Sequence, residues 1–208
     1  MIDGTCALFI GKRFSHEECD QMSQWMKTHG KIEEAQTYSN DNKEKQVDHK
    51  SRKGTVYAID NGLIRKELPN ELYPNRIYAC INEWRRVFGH SPNIAPGALE
   101  YQLAVYDDPG DKFTLHRDHS PGLSQWKDYK DKGNMVRKVS MSIMLSNSDE
   151  YEGAGFRFET TSGAQTTRVG MEKGDVVVFP SWHLHQVDPL ISGKREALVV
   201  WAHGDFWL

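Results

Sequence analysis

The order of patterns along the 208-residue chain predicts an α+β fold, a β-sandwich or jelly roll braced from outside by helices that precede it. Three observations carry that prediction. Two helical stretches with one apolar face lie in the first half, short β-rich runs fill the second, and Gly, Pro, Asp and Asn separate those runs. We read 1–208 as a single domain in which 1–95 is mainly helical support and 96–208 is the β core.

The first helix starts at Ser15-His16-Glu17-Glu18, a capping box in which the Ser15 hydroxyl and the Glu18 carboxylate each satisfy a free backbone N–H. Cys19, Met22 and Met26 follow at helical spacing with Trp25 alongside, and Gly30 is the expected stop. The stretch 36–53, QTYSNDNKEKQVDHKSRK, has almost nothing to bury and reads as a mobile loop. A second helix is expected from Asn75 to Phe88, because Ile77, Ile81, Trp84 and Phe88 share a face and Gly89 follows. Strands are expected at ALEYQLAVY, VSMSIMLS, GFRFE, DVVVFP and EALVVWA. In the second of these, Val139, Met141, Ile143 and Leu145 alternate with Ser140, Ser142 and Met144, the pattern of a sheet with one face in a core. Gly153 and Gly155 precede a strand and not a helix, so they mark a turn or bulge and not a phosphate loop.

Lys and Arg number 26 against 29 Asp and Glu, a net charge of −3, so no broad cationic field supports non-specific nucleic-acid binding. Cys6, Cys19 and Cys80 form no CxxC pair, which argues against a disulfide framework or a thiolate zinc site and for a reducing cytoplasm. The apolar run CALFI is too short for a signal-peptide core or a membrane span. The expectation is a soluble, cytoplasmic protein with no membrane partner.

The segment LHRDHS, Leu115 to Ser120, carries the chemistry. If it is strand, His116 and Asp118 point to one side and Arg117 to the other, which supplies two donors of a metal site. A third would come from a distant strand, and PSWHLHQVDP offers both His183 and His185. Two histidines and one carboxylate form the common protein arrangement for non-haem Fe(II) with open positions. Arg195 lies ten positions after His185 and begins an apolar strand, where a guanidinium beside a metal would be a buried charge in need of a carboxylate.

These segments resemble the Fe(II)- and 2-oxoglutarate-dependent dioxygenases, in the prolyl 4-hydroxylase-like branch that includes bacterial PKHD-type hydroxylases and the oxygen-sensing prolyl hydroxylases. The resemblance rests on Tyr106, on His116 to Asp118, on SNSDEYEGAGFRF and on GDVVVFPSWHLHQVDPLISGKREALVVW; FSHEECDQM matches more loosely. It implies a double-stranded β-helix core, with His116, Asp118 and His185 as iron ligands and Arg195 gripping the distal carboxylate of 2-oxoglutarate. Spacing to Arg195 favours His185 over His183, which is left as a partly buried imidazole at the rim; His119 is read as a loop residue. Tyr106 matches a tyrosine of the cosubstrate pocket, while the second tyrosine of the oxygen-sensing relatives is replaced here by Ser140, Ser142 or Met144. Trp201 matches an aromatic on the last core strand, with simple core packing as the alternative. The implied cofactors are Fe(II), 2-oxoglutarate and O2, with ascorbate as an auxiliary reductant. The implied substrate is a prolyl residue in a peptide or protein; a free amino acid or small metabolite, or a non-catalytic metal-binding module, are the alternatives. Trp126 and Tyr129, in the insertion 120–137 after the HxD motif, either touch substrate or plug their own loop.

Overall fold

We describe a computed structural model of the chain, covering residues 1–35, 37–38, 45–46, 48–59, 73–89, 92–119, 135–160 and 166–205. Helix α1 (His16–His29) begins as its sequence dictates: the Ser15 hydroxyl accepts from the Glu18 N–H (3.1 Å) and the Glu18 carboxylate accepts from the Ser15 N–H (2.7 Å). It buries Cys19, Met22 and Met26, and the Gly30 N–H closes it on the Met26 carbonyl. Helix α2 (Pro74–Phe88) starts on a proline with preset φ and ends at Gly89 in the left-handed region, φ 61°. Its buried stripe is Ile77, Cys80, Ile81 and Trp84, and the Trp84 indole N–H donates to the Cys6 carbonyl (2.9 Å).

Strands of the first half are β1 (Leu8–Lys12), β2 (Lys31–Glu34), β3 (Thr37–Tyr38), β4 (Lys45–Gln46), β5 (Arg52–Lys53) and β6 (Thr55–Ile59). The second half opens with β7 (Leu99–Tyr106), β8 (Lys112–His116), β9 (Met135–Met144), β10 (Tyr151–Gly153) and β11 (Phe156–Glu159). It closes with β12 (Thr166–Val169), β13 (Asp175–Pro180), β14 (His185–Val187), β15 (Leu190–Gly193) and β16 (Arg195–Asp205). A seven-stranded sheet has the order β1-β13-β9-β16-β7-β6-β2, and a five-stranded sheet the order β12-β11-β14-β8-β5. β10–β15 and β3–β4 form two small ribbons.

Period-two alternation sends the large sheet's side chains into two cores. Leu103, Val105, Met141, Ile143, Leu198 and Val200 pack with Met22, Met26, Ile77 and Trp84 of the helices. Ala104, Tyr106, Met144 and Phe179 face the other way and pack with Phe156, Phe158 and Val187 of the five-stranded sheet. The helices therefore brace one sheet from outside, as expected. The serine face of β9 is not open to water, however: Ser140 and Ser142 are buried as well, because the second sheet covers them.

The amino-terminal half carries more strand than its helical pattern suggests. Within the polar stretch 36–53, β3 pairs with β4 and Arg52–Lys53 pairs with β8. Asp48 accepts from the Ser51 hydroxyl (2.6 Å) and the Lys50 N–H (3.1 Å), closing a turn that leads into β5. Backbone pairing, which needs no apolar side chain, fixes these residues; the Thr114 N–H donates to the Ser51 carbonyl at 2.8 Å. At Gly153 the β10–β15 register slips, and a Cβ there would lie 2.4 Å from the Pro189 carbonyl oxygen, so the glycine marks a bulge that only glycine fits. Among the described residues no helix is long and apolar enough to cross a membrane.

Candidate metal centre

His116 is the last residue of β8 and His185 the first of β14, and antiparallel pairing sets the two opposite each other with ring centroids 4.2 Å apart. Asp118 does not reach the same point by strand alternation, as the HxD spacing suggests. The strand ends at His116, and a turn carries Asp118 onward, fixed by the Asp118 and His119 N–H groups, which both donate to the Ser181 carbonyl (2.9 and 3.0 Å). His119 lies in that turn, its ring Nδ1 bonded to the Arg137 carbonyl (3.1 Å).

One donor atom from each of His116, Asp118 and His185 lies within 4.8 Å of the others. His116 Nε2 is 3.6 Å from Asp118 Oδ1 and His185 Nε2 is 3.5 Å from Asp118 Oδ2, too far for good hydrogen bonds. One ion about 2.1 Å from each donor would span these gaps. The other ring nitrogens are spoken for: His116 Nδ1–H donates to the Thr114 carbonyl (2.8 Å) and His185 Nδ1–H to the His183 carbonyl (2.9 Å). Those bonds leave both Nε2 lone pairs facing the carboxylate, the tautomer a metal requires. The Ser140 hydroxyl donates to Asp118 Oδ2 (2.7 Å) and contacts the Ser181 hydroxyl (2.9 Å).

The electrostatics agree with ligation. Burial, and then the neighbouring His116, push His185 down to about 4, so its ring is neutral near pH 7. Burial opposes charge on Asp118, but His185 and His116 outweigh it and hold the carboxyl far below its ordinary value. Phe156, Phe158 and Phe179 surround His185, with centroids 5.7, 6.1 and 4.7 Å from its ring. Phe113 stacks on His116, and the Arg52 guanidinium lies 4.4 Å from the Phe113 centroid. Two imidazoles that present Nε2 and an ionised carboxylate, walled by aromatics, fit Fe(II).

His183 does not share a strand face with His185. It precedes β14, is 5% exposed, and its Nε2–H donates to the Glu159 carbonyl (2.9 Å), so its carbonyl orients the ligand while its ring points elsewhere. Arg195 opens β16 opposite Tyr106, is 1% exposed, and has its guanidinium carbon 5.5 Å from the Tyr106 ring. Arg195 Nε has no partner among the described residues. Burial pushes the Tyr106 phenol up, keeping it a neutral donor. Further along β16, Trp201 lies under the Arg137 guanidinium (3.6 Å). Arg137 is bound by the Glu100 carboxylate (2.7 and 3.1 Å), which also takes His203 Nε2–H (2.9 Å). Burial opposes the Glu100 charge, but Arg137 and His203 outweigh it and hold the carboxyl down to about 2. Trp126 and Tyr129 fall outside the described residues.

Sequence reasoning missed Ser140 as the donor to Asp118, and missed the Glu100–Arg137–His203 group. Two signals were present. Glu100 is a charge inside the apolar run ALEYQLAVY, an even number of residues from Tyr106, and His203 lies two beyond Trp201.

Residues 101–203 match the profile of the 2OG-Fe(II) oxygenase superfamily. A PKHD-type hydroxylase of Teredinibacter turnerae is 36% identical over 70 residues, 34% of this chain and 30% of that protein. The chain therefore aligns with less than a third of the length of that relative. A Pseudomonas putida prolyl-4-hydroxylase superposes with a TM-score of 0.59 at 18% identity, covering 97% of this chain and 94% of the other. A Trichoplax adhaerens prolyl hydroxylase, solved with a hypoxia inducible factor peptide, gives 0.65 at 14% identity, covering 98% and 86%. With the profile match running from β7 through β16, and with the His–Asp–His cluster inside it, the chain belongs to the 2OG-Fe(II) oxygenase superfamily.

Proposed function

We propose that the chain is an Fe(II)- and 2-oxoglutarate-dependent hydroxylase acting on a prolyl residue of a peptide or protein, with 1–208 working as one dioxygenase domain on a double-stranded β-helix core. The observation that carries this reading is the meeting of His116, Asp118 and His185 at one point, on the same side of the large sheet as the buried Arg195. Bound Fe(II), 2-oxoglutarate and O2 supply the chemistry, in which the cosubstrate leaves as succinate and CO2 and one oxygen atom enters a substrate C–H bond.

The chain's own residues position and shield. His116, Asp118 and His185 would hold the metal, and Ser140 fixes the Asp118 carboxylate. Arg195 takes the distal carboxylate of the cosubstrate, since a planar fork suits a carboxylate better than an ammonium does, and Tyr106 lines the same pocket. Ser142 and Met144 stand on that wall where relatives carry a second tyrosine. The phenylalanines around His185 keep water out.

Support for a polypeptide substrate comes from the relatives: one superposed fold holds a peptide, and the sequence matches are PKHD-type hydroxylases. Trp126 and Tyr129 are assigned to the substrate entrance on their place after the metal motif. The test is mass spectrometry of proline-containing peptides incubated with the chain, Fe(II), 2-oxoglutarate and ascorbate. Gain of one oxygen on a proline is expected. Oxidation of free amino acids with no peptide modified would overturn the polypeptide assignment.

A further inference from the structure

The strand that carries His116 ends with it, so the ligand Asp118 stands past the end of its ladder and needs other moorings. Leaving the five-stranded sheet, the chain is tied instead to the large one. The Asp118 and His119 N–H groups share the Ser181 carbonyl (2.9 and 3.0 Å), and Ser181, just past β13, gives its own N–H to the Lys138 carbonyl of β9 (3.0 Å). The Ser140 hydroxyl, also on β9, donates to Asp118 Oδ2 (2.7 Å). A further mooring comes from a side chain: His119 Nδ1–H donates to the Arg137 carbonyl (3.1 Å).

Arg137 is a firm anchor. In the sheet it lies opposite His203 of β16, and the Glu100 carboxylate of β7 holds its guanidinium (2.7 and 3.1 Å). His119 is only half-buried and immediately precedes the insertion 120–137, which Arg137 closes, so the bond joins the two ends of that insertion. The serine bond aligns the carboxylate, but the Asp118 side chain turns about its own χ angles and leaves the backbone behind it less defined. The peptide from Asp118 to His119 is planar, so holding His119 by both its N–H and its ring fixes the carbonyl end of the ligand residue.

We propose that His119 is a positioning residue for the metal ligand Asp118: its ring, bonded to the Arg137 carbonyl, holds the turn after β8 so that the carboxylate meets His116 and His185. The role rests on the metal-site reading above. It asks for a donor at the δ position, which an asparagine amide nitrogen also supplies and a leucine side chain does not.

His119→Asn and His119→Leu test it. In the metal-free chain, amide hydrogen exchange at Asp118 and His119, read by NMR, should quicken about tenfold in His119→Leu and stay near the parent rate in His119→Asn, with the β9–β16 ladder unchanged in both. Fe(II) affinity in a competition titration should follow the same order: about tenfold weaker with leucine, as when a group behind a metal ligand is lost, and restored with asparagine. Exchange or Fe(II) affinity in His119→Leu equal to the parent's, or an asparagine variant as impaired as the leucine one, would overturn the role alone. A parent chain that binds no iron would overturn the metal site and this role with it.

Discussion

Replacing Arg195 by Met should separate stability from cosubstrate binding. Arg195 is 1% exposed, its Nε has no partner, and no carboxylate lies within ion-pair distance of it among the described residues. A buried cation that no carboxylate answers is a burden to the unloaded fold, and an apolar side chain of similar volume relieves it. The unloaded Arg195→Met protein should therefore keep its unfolding free energy, measured in urea, to within about 1 kcal/mol or gain stability. Binding should respond in the other direction. Loss of a buried charge pair costs about 2–5 kcal/mol, since the cosubstrate carboxylate is then buried unpaired, which is roughly 30- to 5000-fold in affinity. Calorimetric titration of 2-oxoglutarate into the anaerobic Fe(II) protein measures the second effect. Lys194, which bonds Glu196 on the opposite face, serves as the control. Unchanged affinity in Arg195→Met, with loss in Lys194→Met, would refute the reasoning about which face holds the cosubstrate.

Three further outcomes follow from the metal centre. His185→Ala should lose stoichiometric iron, measured by plasma mass spectrometry, while His183→Ala should retain it, because the His183 ring bonds Glu159 and only its backbone carbonyl orients the ligand; the reverse result would exchange their roles. Ser140→Ala removes the hydroxyl bond to Asp118 and should weaken Fe(II) by about 10–100-fold in a competition titration, whereas an unchanged affinity would make Ser140 a packing residue only. In the metal-free chain, His185 is pushed from 6.5 to about 4 on folding, so the unfolded state binds the extra proton. The stability this gives is full above the unfolded value and is lost as pH falls toward 4, by at most about 3 kcal/mol. Urea midpoints at neutral and mildly acid pH should show a shallower decline in His185→Gln than in the parent, and parallel declines would contradict it.

Much of this arrangement is legible in the chain. Capping at Ser15 and Glu18, the stripe of α2 and the alternation of β9 are local, and each element follows its pattern. The metal donors were legible as residue types, but not the route by which they meet. Alternation places Asp118 correctly for the wrong reason, because the two N–H groups that turn the chain at Ser181 depend on a partner some sixty residues away in sequence. The choice between His183 and His185 is likewise a matter of where β14 begins, and strand ends are set by the neighbour they pair with. β5 was invisible for a related reason: its place beside β8 comes from backbone pairing, and its side chains are Arg and Lys. Glu100, Arg137 and His203 lie on three different strands, so their meeting is a property of the sheet and not of any one segment.

The most direct test of the central claim needs no substrate. Mixing the chain with Fe(II) and 2-oxoglutarate without oxygen should produce the broad visible charge-transfer absorption of a cosubstrate chelated to iron, because three protein ligands leave adjacent positions open. The account predicts this band in the parent and in His183→Ala, and its loss in His185→Ala. Stoichiometric iron binding with no band in the parent, or an undiminished band in His185→Ala, would contradict it.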